Sequence, residues 1–413
     1  MLRDSRPIIE RVQKQETEKV VRDLKKLGID WSVGPDKGPS KVRVVAETSA
    51  GDAVARAGDP LSLRVEVTNE GKHPLYQLRA TTRSDNSLFD GRELVFGKLA
   101  PGQTRSWSTT LGRCLTEDEK RVCRIPRAMV DRADGIEIDF EEAHGHVPEP
   151  VEVRTLIHAL PRPRFAYGIQ VADDIQGNGD GRVQAGEQVT LYFTVTNVGE
   201  ADSFEVQANI QNKSGSGVLL HDGRFPRDQG IRAGETWVVP FTFQVLPTFA
   251  EEEASLMVAI IDTQLSVVAG QKVVVPIHPS AGPVQKVPGK RVVSAASGAE
   301  VRAWPEDSAP LVAVVDAPLR LRQTAKSGAY ARVDLGGGRP GWIASSALSP
   351  AEGPVTQGPK LAWATQNAAP EIELAGLGDF VTRDDTIRIR GKATDQQRLR
   401  DLYISTSGHK VYY

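Results

Sequence analysis

Ala57-Gly58-Asp59-Pro60-Leu61-Ser62-Leu63-Arg64-Val65-Glu66-Val67-Thr68-Asn69-Glu70-Gly71 returns, in altered form, as Ala185-Gly186-Glu187-Gln188-Val189-Thr190-Leu191-Tyr192-Phe193-Thr194-Val195-Thr196-Asn197-Val198-Gly199. Each copy opens on a Gly-acid turn, runs through an alternating stretch and closes on Asn-x-Gly. Leu61, Leu63, Val65 and Val67 fall at every second position, as do Val189, Leu191, Phe193 and Val195. A period of two sends successive side chains to opposite faces of a pleated strand, so each copy buries one face of a sheet. Farther on, Ala100-Pro101-Gly102-Gln103-Thr104-Arg105-Ser106-Trp107 parallels Arg232-Ala233-Gly234-Glu235-Thr236-Trp237. Duplicated strands and turns at this spacing predict two β-sandwiches of roughly 120 residues each, over 41–160 and 161–279.

Outward from the repeats the periodicity changes. Upstream, Ile8, Ile9, Val12, Val20, Leu24 and Leu27 fall mostly on one face of a helix that begins near Pro7 and ends at Gly28. A lone amphipathic helix of this length is marginal in water, so its stripe requires a partner, on the first β-domain or on a segment preceding it. A Pro/Gly-rich linker completes the region 1–40. Downstream of the linker Pro279 to Pro288, five short strands within 288–349 predict a small barrel. The stretch 350–369, rich in Pro, Gly and Ala, reads as a second linker. Residues 370–413 then carry three or four strands, too few to close a sandwich, so this last domain is expected to be incomplete. The expected fold class is therefore mainly β: tandem sandwiches, a small barrel, an incomplete C-terminal sandwich and a short N-terminal helix.

Composition narrows the function. Among 413 residues the 51 Lys and Arg nearly balance the 53 Asp and Glu, for a net charge of -2. No basic stripe interleaved with aromatics is present, so nucleic acid is not an expected partner. No run approaches the roughly 20 apolar residues of a membrane span. The start Met1-Leu2-Arg3-Asp4-Ser5-Arg6-Pro7 lacks an apolar leader, so the protein is either cytoplasmic or begins upstream of this sequence. No GxSxG, Walker A, HExxH or dinucleotide fingerprint occurs.

Four groups of residues are candidates for sites. Gln176-x-Asn178-x-Asp180-Gly181-x5-Glu187 has the spacing of a calcium loop, with Gln176 where Asp is expected and Asp173 and Asp174 just upstream. Asp174, Asn178, Asp180 and Glu187 are the candidate calcium ligands. The plainer alternative is a turn in which Asn and Asp cap backbone groups. Trp304 and Trp342 are candidate ligand-facing aromatics, against core packing, which the sequence favours for Trp342. Cys114 and Cys123 are either two separate thiols or one disulfide pinning a loop. Glu141, Glu142, His144 and His146 offer zinc-type ligands, although a solvated loop accounts for them better.

The repeats resemble adhesion-type immunoglobulin-like modules of bacterial surface proteins, on Gly177-Asn178-Gly179-Asp180-Gly181, Ala185-Gly186-Glu187 and Val195-Thr196-Asn197-Val198-Gly199. The segment 288–349 resembles a bacterial Src-homology-3-type domain, on Val301-Arg302-Ala303-Trp304-Pro305 and Gly341-Trp342-Ile343. Several elements occur in series: Lys26-Leu27-Gly28-Ile29-Asp30-Trp31, the two sandwiches, Phe140 to Pro148, Ile387 to Asp395 and Asp401-Leu402-Tyr403-Ile404. That series is similar to the C-terminal half of some PDZ-containing C-terminal-processing serine peptidases. The resemblance implies a periplasmic or cell-envelope location, a preceding peptidase domain, and protein or peptidoglycan ligands. It carries over no catalytic residue, because Ser345-Ser346 lacks the glycine-rich helix start of a Ser/Lys site. Two functions follow as expectations: an accessory region beside a peptidase core, or spacer and binding modules of a non-enzymatic adhesion protein.

Overall fold

The computed structural model describes residues 6–51, 54–117, 120–279, 284–289, 291–358, 360–365, 367–368 and 371–375. Beyond these it describes 386, 389–395, 402–406 and 409–412. The chain is mainly β and divides into two compact units, one built from residues up to Leu160 and the other from Pro161 to Leu377.

The first unit begins with the helix Arg6–Lys26. Of its apolar stripe, Val12, Val20 and Leu27 are exposed and Leu24 is half-buried, while the side chains of Ile8 and Ile9 lie outside the described residues. The chain just after it is what docks. Ile29 is buried, Lys98 N donates to Asp30 O at 2.7 Å, and Gln77 Nε2 donates to Trp31 O at 3.0 Å. The sandwich behind it has a three-stranded sheet, Val42–Thr48, Leu61–Asn69 and Thr104–Leu111. This faces a five-stranded sheet ordered Ala55–Arg56, Val151–His158, Arg132–Glu141, Leu75–Arg83, Glu93–Leu99. Leu61, Leu63, Val65 and Val67 all point into the core, where they meet Leu78, Phe96 and Ile136. Cys114 and Cys123 lie opposite each other in the hairpin of Arg113–Glu117 with Lys120–Arg124 and are joined as a disulfide. Of the two alternatives for these cysteines, the paired one is found.

The second unit opens with the second sandwich. One sheet is ordered Val218–Leu220, Thr236–Val245, Gln188–Asn197, Phe165–Gln176. The other is ordered Arg224–Arg227, Val206–Asn212, Glu253–Asp262, Val267–Pro276. The sequence repeat is reproduced here atom for atom. Thr68 Oγ1 lies 2.9 Å from Thr104 Oγ1, and Thr196 Oγ1 lies 2.8 Å from Thr236 Oγ1. Asn69 and Asn197 are wholly buried at the ends of the equivalent strands. Each donates from Nδ2 to two carbonyls, His73 and Leu99 in one copy, Ala201 and Ile231 in the other. The Asn of Asn-x-Gly is thus a buried corner that ties three chain segments, with every side-chain group satisfied.

The barrel follows from Val292–Ala295 to Leu348–Ala351, around Val293, Val301, Val312, Leu321, Val333 and Ile343. The region 350–369 departs from the expected linker. Leu361–Trp363 pairs with Leu311–Val315 of the barrel, and Asn367–Ala368 pairs with Ala166 and Tyr167 of the sandwich. Its apolar Leu361 and Trp363 give it something to bury, which Pro/Gly content alone conceals. Past residue 370 the described strands form two separate hairpins, Glu371–Ala375 with Arg390–Thr394 and Ile404–Thr406 with His409–Tyr412.

Candidate functional site

The two repeat copies differ on the face turned away from their own cores. In the first copy that face holds Ser62, Arg64 and Glu66, and Arg64 is exposed. In the second it holds Thr190, Tyr192 and Thr194, all buried. The strand Gln188–Asn197 therefore has a cover on both sides, and the barrel is the second cover.

Arg339 is the centre of that contact. It is 5% exposed, donates from Nε to Gln170 Oε1 at 2.7 Å and from Nη1 to Thr194 Oγ1 at 3.0 Å. Gln170 Nε2 in turn donates to Pro340 O at 2.8 Å. The guanidinium lies over the rings of Tyr192 and Trp363, so π faces take the place of a counter-charge. Among the described residues no carboxylate forms an ion pair with it. Burial pushes its pKa down to about 10, opposed by the Tyr192 hydroxyl, and it remains charged at neutral pH.

Next to this contact lies the loop expected to bind calcium. Asp173 is buried, and its carboxylate accepts the amides of Gly179 (2.6 Å), Asp180 (2.9 Å) and Gly181 (2.9 Å). Glu187 accepts the amides of Asn178 (3.1 Å) and Gln184 (2.9 Å), and Asp180 accepts the amide of Arg182 (2.8 Å). Burial raises the pKa of Asp173 and of Glu187, with a smaller contribution from the neighbouring Asp180 charge. The loop is thus wound around its own acids, and the described carboxylates accept from backbone amides and, at Asp180 Oδ2, from the side-chain amides of Asn178 and Gln184. Among the described residues no group of three or more His, Cys, Asp and Glu is placed to hold a metal. The Asp174 side chain falls outside the described residues.

The loop also meets the barrel. Arg332 Nη1 donates to Gly179 O at 2.7 Å, and Arg182 pairs with Glu306. Gly181 passes so close to the barrel that a Cβ there would lie 2.4 Å from Ala303 O and 3.0 Å from Trp342 Nε1. Its positive φ of 86° independently favours glycine. Trp342 is 1% exposed, so it packs inside rather than facing a ligand. Trp304 is partly buried, stands edge-on to His278 at 6.2 Å between centroids, and lines a cavity of about 360 Å³ between the sandwich and the barrel. The two tryptophans therefore do not form a shared surface patch.

In the first unit the acidic and histidine residues secure a loop. Glu142 accepts the amides of Tyr76 (2.7 Å) and His144 (2.7 Å). His144 Nε2 lies 2.9 Å from Gly34 O, and His146 Nε2 lies 2.8 Å from Asp36 Oδ1. These contacts hold the linker against the sandwich, and the two imidazoles engage different partners.

Sequence reasoning missed Arg339 and Gln170. A signal was present, since the second copy replaces the charged outer positions Arg64 and Glu66 with Tyr192 and Thr194. A strand without charge on either face is a strand covered twice.

No family model matches the chain, and no curated protein matches it. Among solved structures it is similar to red sea bream transglutaminase at 13% identity and a TM-score of 0.22, covering 62% of this chain and 33% of that one. A protein of unknown function from Porphyromonas gingivalis W83 gives 14% identity and a TM-score of 0.19, covering 58% of this chain and 100% of that one. The alpha-2-macroglobulin of E. coli gives 8% identity and a TM-score of 0.20, covering 63% and 20%. The chain thus spans a third of the transglutaminase and a fifth of the macroglobulin, and likeness at these scores carries no argument about its activity.

Proposed function

We propose that this chain is a non-catalytic binding and scaffold region of a bacterial envelope protein, acting beside a C-terminal-processing serine peptidase core. The observation that carries the reading is the sealed junction around Arg339, Gln170 and Thr194, which makes the second sandwich and the barrel one presenting body. A stiff β body that positions a ligand suits an accessory role. The Cys114–Cys123 bridge accords with an oxidising compartment. No helix among the described residues is long and apolar enough to cross a membrane. The proposed partners are protein or peptidoglycan ligands and the preceding peptidase domain. Calcium has no step in this reading, because the described acids are engaged by amides.

The test is to read the frame upstream of Met1 and to assay the product of the whole frame. A Ser/Lys peptidase core there, whose processing of a protein substrate weakens when the junction is broken by Arg339→Ala, supports the proposal. A run of further β repeats with no peptidase would instead support spacer modules of a surface adhesion protein. The tandem duplication itself favours that second reading.

A further inference from the structure

The sheet of the second sandwich that contains Val206–Asn212 ends on the strand Val267–Pro276. This strand pairs with Glu253–Asp262 along one side and with no other strand of the described structure along its other side. Such an edge is a row of backbone donors and acceptors open to another strand. Its outward residues include Val268 and Val274, 62% and 45% exposed, and Lys272. The cavity of about 360 Å³ opens beside its second half, walled by Val171, Arg182, Lys272, Val274, His278 and Trp304 among others. That volume lies at the lower end of small ligand clefts.

The lining carries Arg182, Lys272 and His278 and no Asp or Glu. Arg182 is neutralised by Glu306, whereas Lys272 and His278 form no ion pair among the described residues. An edge lysine also serves to repel unwanted strands. Here, however, it stands beside an aromatic wall and a cavity, which a guard residue does not require.

The geometry points to a docking site for an extended, carboxylate-bearing peptide segment that adds a strand to the Val267–Pro276 edge. The peptide's apolar side chain rests on Trp304 and Val274, and its carboxylate faces Lys272 and His278. Backbone pairing supplies affinity, and the alternate side-chain positions supply selectivity. The inference rests on the binding role proposed above and names its ligand class. The carboxylate belongs either to an internal acidic residue or to a peptide C-terminus.

The probe is an array of fluorescent ten-residue peptides alternating Val and Thr, with Glu, Lys or no charge at each position and with free or amidated C-termini. Binding to the full chain is read by anisotropy. Glu-bearing or free-carboxylate peptides are expected to bind at least tenfold more tightly than their Lys or amidated counterparts. Loss on amidation identifies a terminal carboxylate, and retention identifies an acidic side chain. Lys272→Glu, a surface change, is expected to reverse the charge preference with an unchanged melt. Trp304→Ala is expected to weaken all peptides at least fivefold. Equal binding of Glu and Lys peptides, no binding at all, or indifference to Lys272→Glu would overturn the site. If the whole-frame protein still captured its partner in that case, the accessory role would stand without this cleft.

Discussion

The guanidinium carbon of Arg339 lies 4.0 Å from the centre of the Trp363 ring, joining a barrel loop to the strand that follows the barrel. Its other partners, Gln170 and Thr194, precede it by 169 and 145 residues. One side chain thereby fastens three parts of the second unit.

Arg339→Lys keeps a charge but not the planar fork that stacks and donates in two directions. It is expected to cost about 1–3 kcal/mol, and Trp363→Ala a similar amount. In calorimetry the native sandwich and barrel are expected to unfold in one transition, and in either variant in two. A single unshifted transition would show that the contact is not what couples them.

Asn197→Ala removes the side-chain donor to the carbonyls of Ala201 and Ile231 and the acceptor of the Gly199 and Arg164 amides, although Ser203 still donates to Ile231 O. Because the corner is fully buried, the expected cost is about 2–4 kcal/mol. Asn69→Ala is expected to produce the same loss in the first unit. Denaturant melts followed by a probe in each unit separate the two, and a loss below half a kilocalorie, about the noise of such a fit, would contradict the assignment.

Reduction of Cys114–Cys123, nine residues apart, releases a short hairpin loop and is expected to cost about 2–3 kcal/mol locally. A reductant should lower the midpoint of the first unit and leave the second where it is. Movement of the second transition would be inconsistent with a bridge confined to the first sandwich.

The pKa values of Asp173 and Glu187 are raised in the folded chain, which therefore holds their protons more tightly than the unfolded chain does. Their contribution to stability is present below the ordinary values of 3.8 and 4.5, is lost as pH rises through the folded values, and is constant above them. Glu187→Gln is expected to remove part of this fall in the second unit's midpoint as pH rises above the ordinary carboxylate range. Identical slopes in the wild type and the variant would show that the acid is not strained by burial.

The same melts in calcium and in chelator test the loop as an ion site. With its described acids engaged by amides, the second unit is expected to melt within about a degree under both conditions. A chelator-sensitive rise of several degrees, abolished by Asp174→Asn, would show that an ion displaces those amides.

The local pattern determined the elements. Alternation at Leu61 to Val67 and at Val189 to Val195 is a property of neighbouring residues, and it specified two strands, their buried faces and the duplicated corners. The cysteine pair, nine residues apart, was also within reach of the sequence. What covers the outer face of the second copy was decided only in the tertiary structure, because Arg339, with Trp363 stacked on it, arrives there from more than a hundred residues away. The hydrogen bonding of the acidic loop was likewise decided only in the folded chain. Spacing alone fits either an ion or a turn, and only the folded backbone shows the amides of residues 178 to 184 turned onto Asp173, Asp180 and Glu187.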